Sequence, residues 1–176
     1  YPSKFPLEIL DVMRERSNIC KYLDMPLQHA SNSMLKAMKR NITREDMSVL
    51  IKEIRARVPG ICLRTTLIAG FPGETEDDIE ELKEFLQEHR FDRVGIFSYS
   101  HEENTTAHDL VDDVPADVKA ERAQSIMEVQ QEISLEKNQE KVGQVLKVIV
   151  DKKEAGRYLG RTEFDSVEVD NEVVIN

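Results

Sequence analysis

The chain has 176 residues, of which 40% are hydrophobic and 33% charged, and its formal net charge at pH 7 is −10. This composition is that of a soluble globular protein and excludes a disordered chain. The sequence has no run of about eighteen apolar residues, which excludes a membrane span. Tight binding to nucleic-acid phosphates needs clustered Lys and Arg, so the acidic balance favours basic partners instead.

The first 141 residues alternate between strand and helix patterns. Apolar residues recur at helical spacing after Thr43 and after Thr75, and Asp46 and Asp78 follow these threonines by three positions, as in a capping box. Strand, helix and strand at this spacing predict βαβ units and a parallel sheet, an α/β fold. The predicted helices cover residues 6–16, 31–41, 43–58, 75 onward and 116–141, and the predicted strands cover residues 21–26, 61–69 and 93–99.

The pattern changes at Gly143. Strands are predicted at residues 145–150, 158–162 and 172–175, with a turn at residues 152–156, which is typical of antiparallel β structure. We therefore divide the chain into residues 1–141 and a small, incomplete β domain at residues 142–176, which is shorter than domains that usually fold alone.

Polar residues gather where the predicted parallel strands end, which is where such sheets place their ligands. These candidates are Gln28, His29 and Ser31, the Gly70-Phe71-Pro72-Gly73 turn, and His101, Glu102 and Glu103 in the loop of residues 100–113. Each also has a purely structural explanation, namely a helix cap, a tight strand-to-helix connection and a solvated loop.

Several other residues are predicted to have structural roles only. Cys20 and Cys62 each adjoin an apolar run, which predicts two buried thiols in a reducing cytoplasm. His89 and His108 have no partner pattern and are predicted at the surface. The acidic residues of 74–88 are predicted to form the outer face of a helix.

Four segments resemble the radical S-adenosyl-L-methionine (SAM) methylthiotransferase family, and as a set they are specific to it. They are Pro26-Leu27-Gln28-His29, Met38-Lys39-Arg40, the run from Arg64 to Thr75, and Phe97-Ser98-Tyr99-Ser100. The resemblance covers essentially the whole chain. It implies the second half of a TIM-like partial barrel, followed by the first strands of a TRAM β-barrel domain.

The resemblance further points to one branch of that family. Residues 1–6, 99–103 and 160–172 look like the branch that modifies the β-carbon of an aspartate in small-subunit ribosomal protein number twelve. The acidic balance agrees with a basic protein substrate. Two alternatives stay open: the branch that modifies an adenosine of transfer RNA, for which a more basic β domain is expected, and a non-catalytic module that docks a basic partner.

The resemblance implies roles for individual residues. Gln28 and Thr66 would face the SAM ribose, Arg40 would pair with its carboxylate, and the Gly70, Phe71 and Pro72 loop would lie beside the cofactor. The backbone from Phe97 to Tyr99 would meet the adenine. His101, Glu102 and Glu103 are the candidates for contact with the substrate.

The family also implies two 4Fe–4S clusters in the full-length enzyme. Their ligands include a C-x-x-x-C-x-x-C motif, and this sequence has no such motif and only two cysteines. We therefore expect neither cluster to be ligated by this chain, and we expect the chain alone to be inactive and to bind SAM weakly. The chain has no initiator Met and no signal-peptide core, which fits a piece of a longer cytoplasmic protein. Half a barrel exposes unpaired strand edges, so we also expect self-association.

Overall fold

The computed structural model describes residues 2–176 and contains two separate sheets. Tyr1, which opens one of the segments that resemble the ribosomal-protein branch, lies outside the described residues. A short 3₁₀ turn at Pro2–Lys4 precedes the main elements. In chain order these are α1 (Glu8–Glu15), β1 (Tyr22–Asp24), α2 (Asn32–Ala37), α3 (Arg44–Arg57), β2 (Cys62–Ala69), α4 (Glu76–His89), β3 (Arg93–Ser98), α5 (Ala116–Gln139), β4 (Val148–Glu154), β5 (Arg157–Thr162) and β6 (Val173–Ile175).

The first sheet has the order β1-β2-β3, and both of its pairings are parallel. Tyr22 lies opposite Cys62 at one end of the ladder, and Ala69 lies opposite Ser98 at the other. Helices α2 and α3 connect β1 to β2, α4 connects β2 to β3, and α5 follows β3; residues of α3, α4 and α5 form part of the core. The predicted α/β fold is confirmed.

The starts of α3 and α4 are set by the two predicted capping boxes. The Thr43 hydroxyl accepts from the Asp46 amide at 3.2 Å while the Asp46 carboxylate accepts from the Thr43 amide, also at 3.2 Å. Thr75 and Asp78 repeat this exchange at the start of α4. The sequence prediction of these two helix starts is confirmed.

Strand β2 separates two faces of the parallel sheet. Leu63, Thr65, Leu67 and Ala69 are buried, and the three leucine and alanine side chains belong to the core that α3, α4 and α5 cover. The alternate residues Arg64, Thr66 and Ile68 are only half-buried. One face of the sheet is therefore closed by helices, and the opposite face presents polar side chains.

The second sheet has the order β4-β5-β6 and is antiparallel throughout. The predicted turn at residues 152–156 is wrong, because β4 continues to Glu154, which pairs with Arg157. The turn consists of Ala155 and Gly156 alone, and both adopt positive φ, 48° and 83°. A two-residue turn of this kind matches the twist of the flanking strands.

The burial predictions for Cys20 and His89 are wrong, and the prediction that the acidic residues of 74–88 face outward holds for all but two of them. Cys20 is exposed, whereas Cys62 is buried as predicted. His89 is 2% exposed because α4 turns it inward against Phe85 and Phe91. Within the acidic run, Glu74 and Asp78 are buried. A helical pattern gives the face of a residue but does not reveal which neighbouring element covers that face.

No helix within residues 2–176 has both the length and the apolarity that a bilayer crossing requires.

Candidate functional site

A cavity of about 420 Å³ lies beside the carboxyl ends of β2 and β3. It brings together five residues that the sequence marks as candidates and that come from four separate parts of the chain. These five are Arg40, Phe71, Phe97, Tyr99 and Glu102. The other lining residues are Ala37, Met38, Ile68, Ser98, Ser100, Thr105, Thr106 and Ala107. The cavity is within the size range of small-molecule sites, about 300–1,000 Å³.

The place of Arg40 is set by the end of α2. That helix stops at Ala37, earlier than the predicted end near residue 41, because Lys39 adopts a left-handed φ of 54°. The Arg40 amide then donates to the carbonyl of Leu35 at 2.8 Å, and the Lys39 amide donates to that of Lys36 at 3.0 Å. These two bonds form a Schellman motif, which fixes the chain direction at the residue that follows it. Arg40 is thus held at the cavity wall by backbone geometry.

Gln28 forms a parallel bridge with Leu67, the residue that follows Thr66, and both Gln28 and Thr66 lie outside the lining of the cavity. The Gln28 amide donates to the Thr66 carbonyl at 2.9 Å, and the Ile68 amide donates to the Gln28 carbonyl at 2.8 Å. Pro26 interrupts the β1–β2 ladder because it has no N–H. Pairing resumes at Gln28, whose φ is 77°. A positive φ in a residue other than glycine is uncommon and is often found at functional positions.

Hydrogen bonds of Glu74 stabilise the turn after β2. Its carboxylate accepts from the Gly70 amide at 2.7 Å and from Arg122 of α5 at 3.1 Å, and Arg122 also donates to the Glu74 carbonyl at 2.9 Å. Phe71 projects to the cavity, where its ring meets the Tyr99 ring edge-on at a centroid distance of 5.1 Å. Gly70 and Pro72 flank Phe71 and do not line the cavity themselves.

His29 joins the same buried cluster. Its Nδ1 accepts from the amides of Ala30 and Ser31, each at 2.9 Å, so the ring proton of the neutral imidazole belongs on Nε2. That nitrogen lies 3.4 Å from Oε1 of Glu74, and both side chains are fully buried. His29 and Glu74 thus bring the connection after β1 next to the turn after β2, although Nε2 and Oε1 do not meet the geometry of a hydrogen bond.

Asp78 links the start of α2 to the start of α4. Its carboxylate accepts from the hydroxyls of Ser31, Ser33 and Thr75. Burial by itself would raise the pKa of Asp78, but these hydrogen bonds and that from the Thr75 amide outweigh it and hold the pKa at about 2. The Ser31 side chain thus donates to Asp78 and does not cap α2, the helix that Ser31 precedes.

Lys119 of α5 meets the loop of residues 100–113. Its Nζ donates to both carboxylate oxygens of Asp112, each at 2.7 Å, and lies 5.0 Å from the centroid of the Tyr99 ring. Burial raises the pKa of Tyr99, and the charges of Asp112 and Glu102 raise it further. The Tyr99 hydroxyl is therefore protonated at neutral pH.

Among the three candidates for substrate contact, only Glu102 lines the cavity. It accepts from the Ser100 hydroxyl. His101 is exposed, and its Nδ1 lies 3.2 Å from the Tyr99 hydroxyl. Glu103 is exposed as well.

Glu74, Lys119 and Arg122 are the residues that the sequence analysis missed. A signal was present in α5, since Lys119 and Arg122 continue the stripe of Ile126 and Ile133 at helical spacing. Charged residues on a buried stripe are rare unless they are paired. Within residues 2–176, no group of three or more His, Cys, Asp or Glu side chains is arranged to hold a metal ion.

A parallel sheet whose cavity lies at the carboxyl ends of its strands is the arrangement of α/β barrel enzymes. Comparison with known families agrees: the radical SAM superfamily matches residues 2–86, and the TRAM domain matches residues 142–176. Ribosomal protein uS12 methylthiotransferases RimO from Flavobacterium psychrophilum and Cytophaga hutchinsonii are each 57% identical over 176 residues. The match covers all of this chain and 41% and 40% of those proteins. The chain belongs to the radical SAM methylthiotransferase family, and it spans about two fifths of the length of these relatives.

A solved structure supports the fold. The Escherichia coli coproporphyrinogen III oxidase HemN, described as a radical SAM enzyme, matches 75% of this chain and 31% of its own with a TM-score of 0.62. The identity is 20%, so this likeness concerns the fold alone.

Proposed function

We propose that this chain forms the SAM-binding and substrate-facing part of a methylthiotransferase that modifies an aspartate of ribosomal protein uS12 in the cytoplasm. The observation that carries the proposal is the shared cavity, which joins Arg40 to three aromatic side chains at the carboxyl ends of the strands. We keep the division at residues 141 and 142 as the boundary between its two domains.

The cavity has the chemistry that SAM requires. A guanidinium at Arg40 suits the SAM carboxylate, because its planar donors match two carboxylate oxygens. Phe71, Phe97 and Tyr99 offer an apolar wall to the adenine, and Phe97 is 60% exposed. Gln28 and Thr66, which are joined by one backbone hydrogen bond, would face the ribose.

The clusters of the parent enzyme would supply the electron that cleaves SAM. The described residues do not fit them: Cys20 is exposed, Cys62 is buried at the start of β2, and neither belongs to a group that could hold a metal. We therefore assign no cluster ligand to this chain.

The choice of a basic protein substrate is supported by charge and by relatives. The chain carries a net charge of −10, and Glu102 faces the cavity, so a basic segment would meet favourable charge at the entrance. The relatives reported above are named for uS12. The transfer-RNA branch remains the alternative outcome of the experiment below.

The cofactor role is tested by replacing Arg40 with Ala in the full-length enzyme and measuring SAM affinity by calorimetry. Loss of a charge-assisted, bidentate contact should raise the Kd for SAM about tenfold or more. Lys36→Ala is the matched control, since Lys36 is an exposed cation on α2 outside the cavity. Equal affinities of the Arg40 variant and the wild type would refute the role.

The substrate is tested by competition between purified uS12 and transfer RNA for the immobilised full-length enzyme. Retention of uS12, followed by methylthiolation of its aspartate, is the expected result. Preferential capture and modification of transfer RNA would overturn the choice of branch.

A further inference from the structure

The loop of residues 100–113, here called the mouth loop, covers one side of the cavity and is held at its far end by α5. We propose that Lys119 is a positioning residue that holds the mouth loop against the turn after β2, and thereby places Tyr99 and Glu102 for contact with the substrate. The second half of this inference rests on the proposed function.

Lys119 touches three parts of the site at once. Its ammonium binds both oxygens of Asp112 near the end of the loop and lies over the ring of Tyr99 at the beginning of the loop. Its methylene groups pack so closely on Gly70 that a Cβ at Gly70 would overlap them. The two ends of the mouth loop and the turn after β2 therefore share one side chain.

The far end of the loop has a second attachment. Asp113 accepts from the Gly73 amide at 2.8 Å, so this end of the loop is bound to the turn after β2 directly through Asp113 and to Lys119 through Asp112. The middle of the loop lacks such anchors within the part of the chain that the structure describes. Its polar contacts are local, as in the bond from the Thr105 hydroxyl to the Glu102 carbonyl at 2.9 Å. A loop with exposed backbone and few apolar contacts opens easily unless its ends are held.

Burial makes the Lys119 contact effective. The side chain of Lys119 is 9% exposed and that of Asp112 is 29% exposed, so water screens this pair less than it screens the surface pairs of the protein. Both hydrogen bonds are charge-assisted. The aliphatic part of a lysine covers Gly70 while the charged end reaches Asp112, and a shorter side chain could not do both.

The competing explanation is that Lys119 only stabilises α5. The same helix contains a lysine that serves as a matched control. Lys137, on the same helix, donates to Asp92 at 2.8 Å and is far from the loop in the sequence. Lys119→Met keeps the apolar packing on Gly70 and removes only the ammonium. Asp112→Asn removes the partner charge from the loop and changes no residue of α5.

The experiment measures amide hydrogen exchange of residues 101–113 in the full-length enzyme without SAM or substrate. Exchange should accelerate about tenfold in Lys119→Met and in Asp112→Asn, and should remain at the wild-type rate in Lys137→Met. Unchanged exchange in Lys119→Met, or equal acceleration in Lys137→Met, would overturn the hold on the loop.

The positioning role is then read from steady-state kinetics with uS12. The KM for uS12 should rise about tenfold in Lys119→Met with a smaller change in kcat, because the loop contributes binding that is equally strong in the ground state and the transition state. A loosened loop with an unchanged KM would refute positioning. If the wild-type enzyme itself does not act on uS12, the proposed function fails, while the exchange experiment still decides whether Lys119 holds the loop.

Discussion

The guanidinium of Arg93, in the first position of β3, lies 2.7 Å from the carboxylate of Asp165, in the segment between β5 and β6. Asp170 of the same segment accepts from the Tyr22 hydroxyl at 2.8 Å, and the Phe164 carbonyl accepts from the Cys62 thiol at 3.4 Å. Tyr22, Cys62 and Arg93 each begin a parallel strand. The β5–β6 segment therefore closes the amino end of the parallel sheet, opposite the end where the cavity lies.

This contact predicts a large effect of Arg93 on stability. Arg93→Met should lower the free energy of unfolding by about 2 kcal/mol or more, because it leaves Asp165 buried without its cation. Arg161→Met is the control, since Arg161 pairs with Asp151 at a partly exposed site and should cost less than about 1 kcal/mol. Urea unfolding of both variants measures the difference, and equal losses would contradict a buried link between the sheets.

The two glycines of the turn after β2 predict a second contrast. Gly70 and Gly73 have φ values of 81° and 79°, so an added Cβ strains the backbone at either position by about 1–2 kcal/mol. At Gly70 the Cβ would also overlap Lys119, whereas at Gly73 nothing lies within 4 Å. Gly70→Ala should therefore lower the melting temperature more than Gly73→Ala does, and should also weaken SAM binding. Equal decreases in melting temperature would show that the overlap with Lys119 is relieved without loss of stability.

Local signals account for what the sequence predicted well. Thr43 and Thr75 meet their partners three residues away, so both helix starts follow from short motifs. The cavity was predicted in outline because the carboxyl ends of parallel strands meet at one edge. Arg40 was found through resemblance, and its Schellman motif was not predicted.

Long-range contacts account for what the sequence could not predict. Tyr22 and Asp170 are 148 positions apart, and nothing near either residue indicates the other. The burial of His89 and the exposure of Cys20 likewise depend on elements distant in the chain. The helical spacing of α5 is consistent with the burial of Lys119, but it does not identify Asp112 and Gly70 as the partners of that side chain.

The two cysteines should differ sharply towards thiol reagents. Burial raises the pKa of Cys62 to about 12, with a further contribution from the charge of Asp92, so Cys62 is a protonated and inaccessible thiol. Cys20 is exposed. Under native conditions iodoacetamide should label Cys20 and leave Cys62 unmodified until urea is added, as mass spectrometry of the peptides would show. Rapid native labelling of Cys62 would mean that the β5–β6 segment leaves the sheet readily.

His89 should make the stability of the protein depend on pH. Burial lowers its pKa, and although Glu88 opposes this effect, the nearby cations Arg55 and Lys52 add to it. Its Nε2 lies 2.8 Å from the Ser48 hydroxyl, a contact that the neutral ring can make in either direction. The folded protein therefore binds a proton at His89 less readily than the unfolded chain does.

The sign of the pH effect follows from this difference. The contribution of neutral His89 is fully present above the unfolded pKa of about 6.5, and it is lost as the pH falls below that value towards the lowered folded pKa. Stability should thus decline in this range by up to about 1.4 kcal/mol per pH unit for the one proton involved. His89→Gln should flatten the decline because Gln does not titrate, whereas His108→Gln should not, since His108 is exposed. Urea unfolding at pH 7.5, 6.5 and 5.5 on the three proteins measures the slopes, and a decline that persists unchanged in His89→Gln would place its origin in other groups.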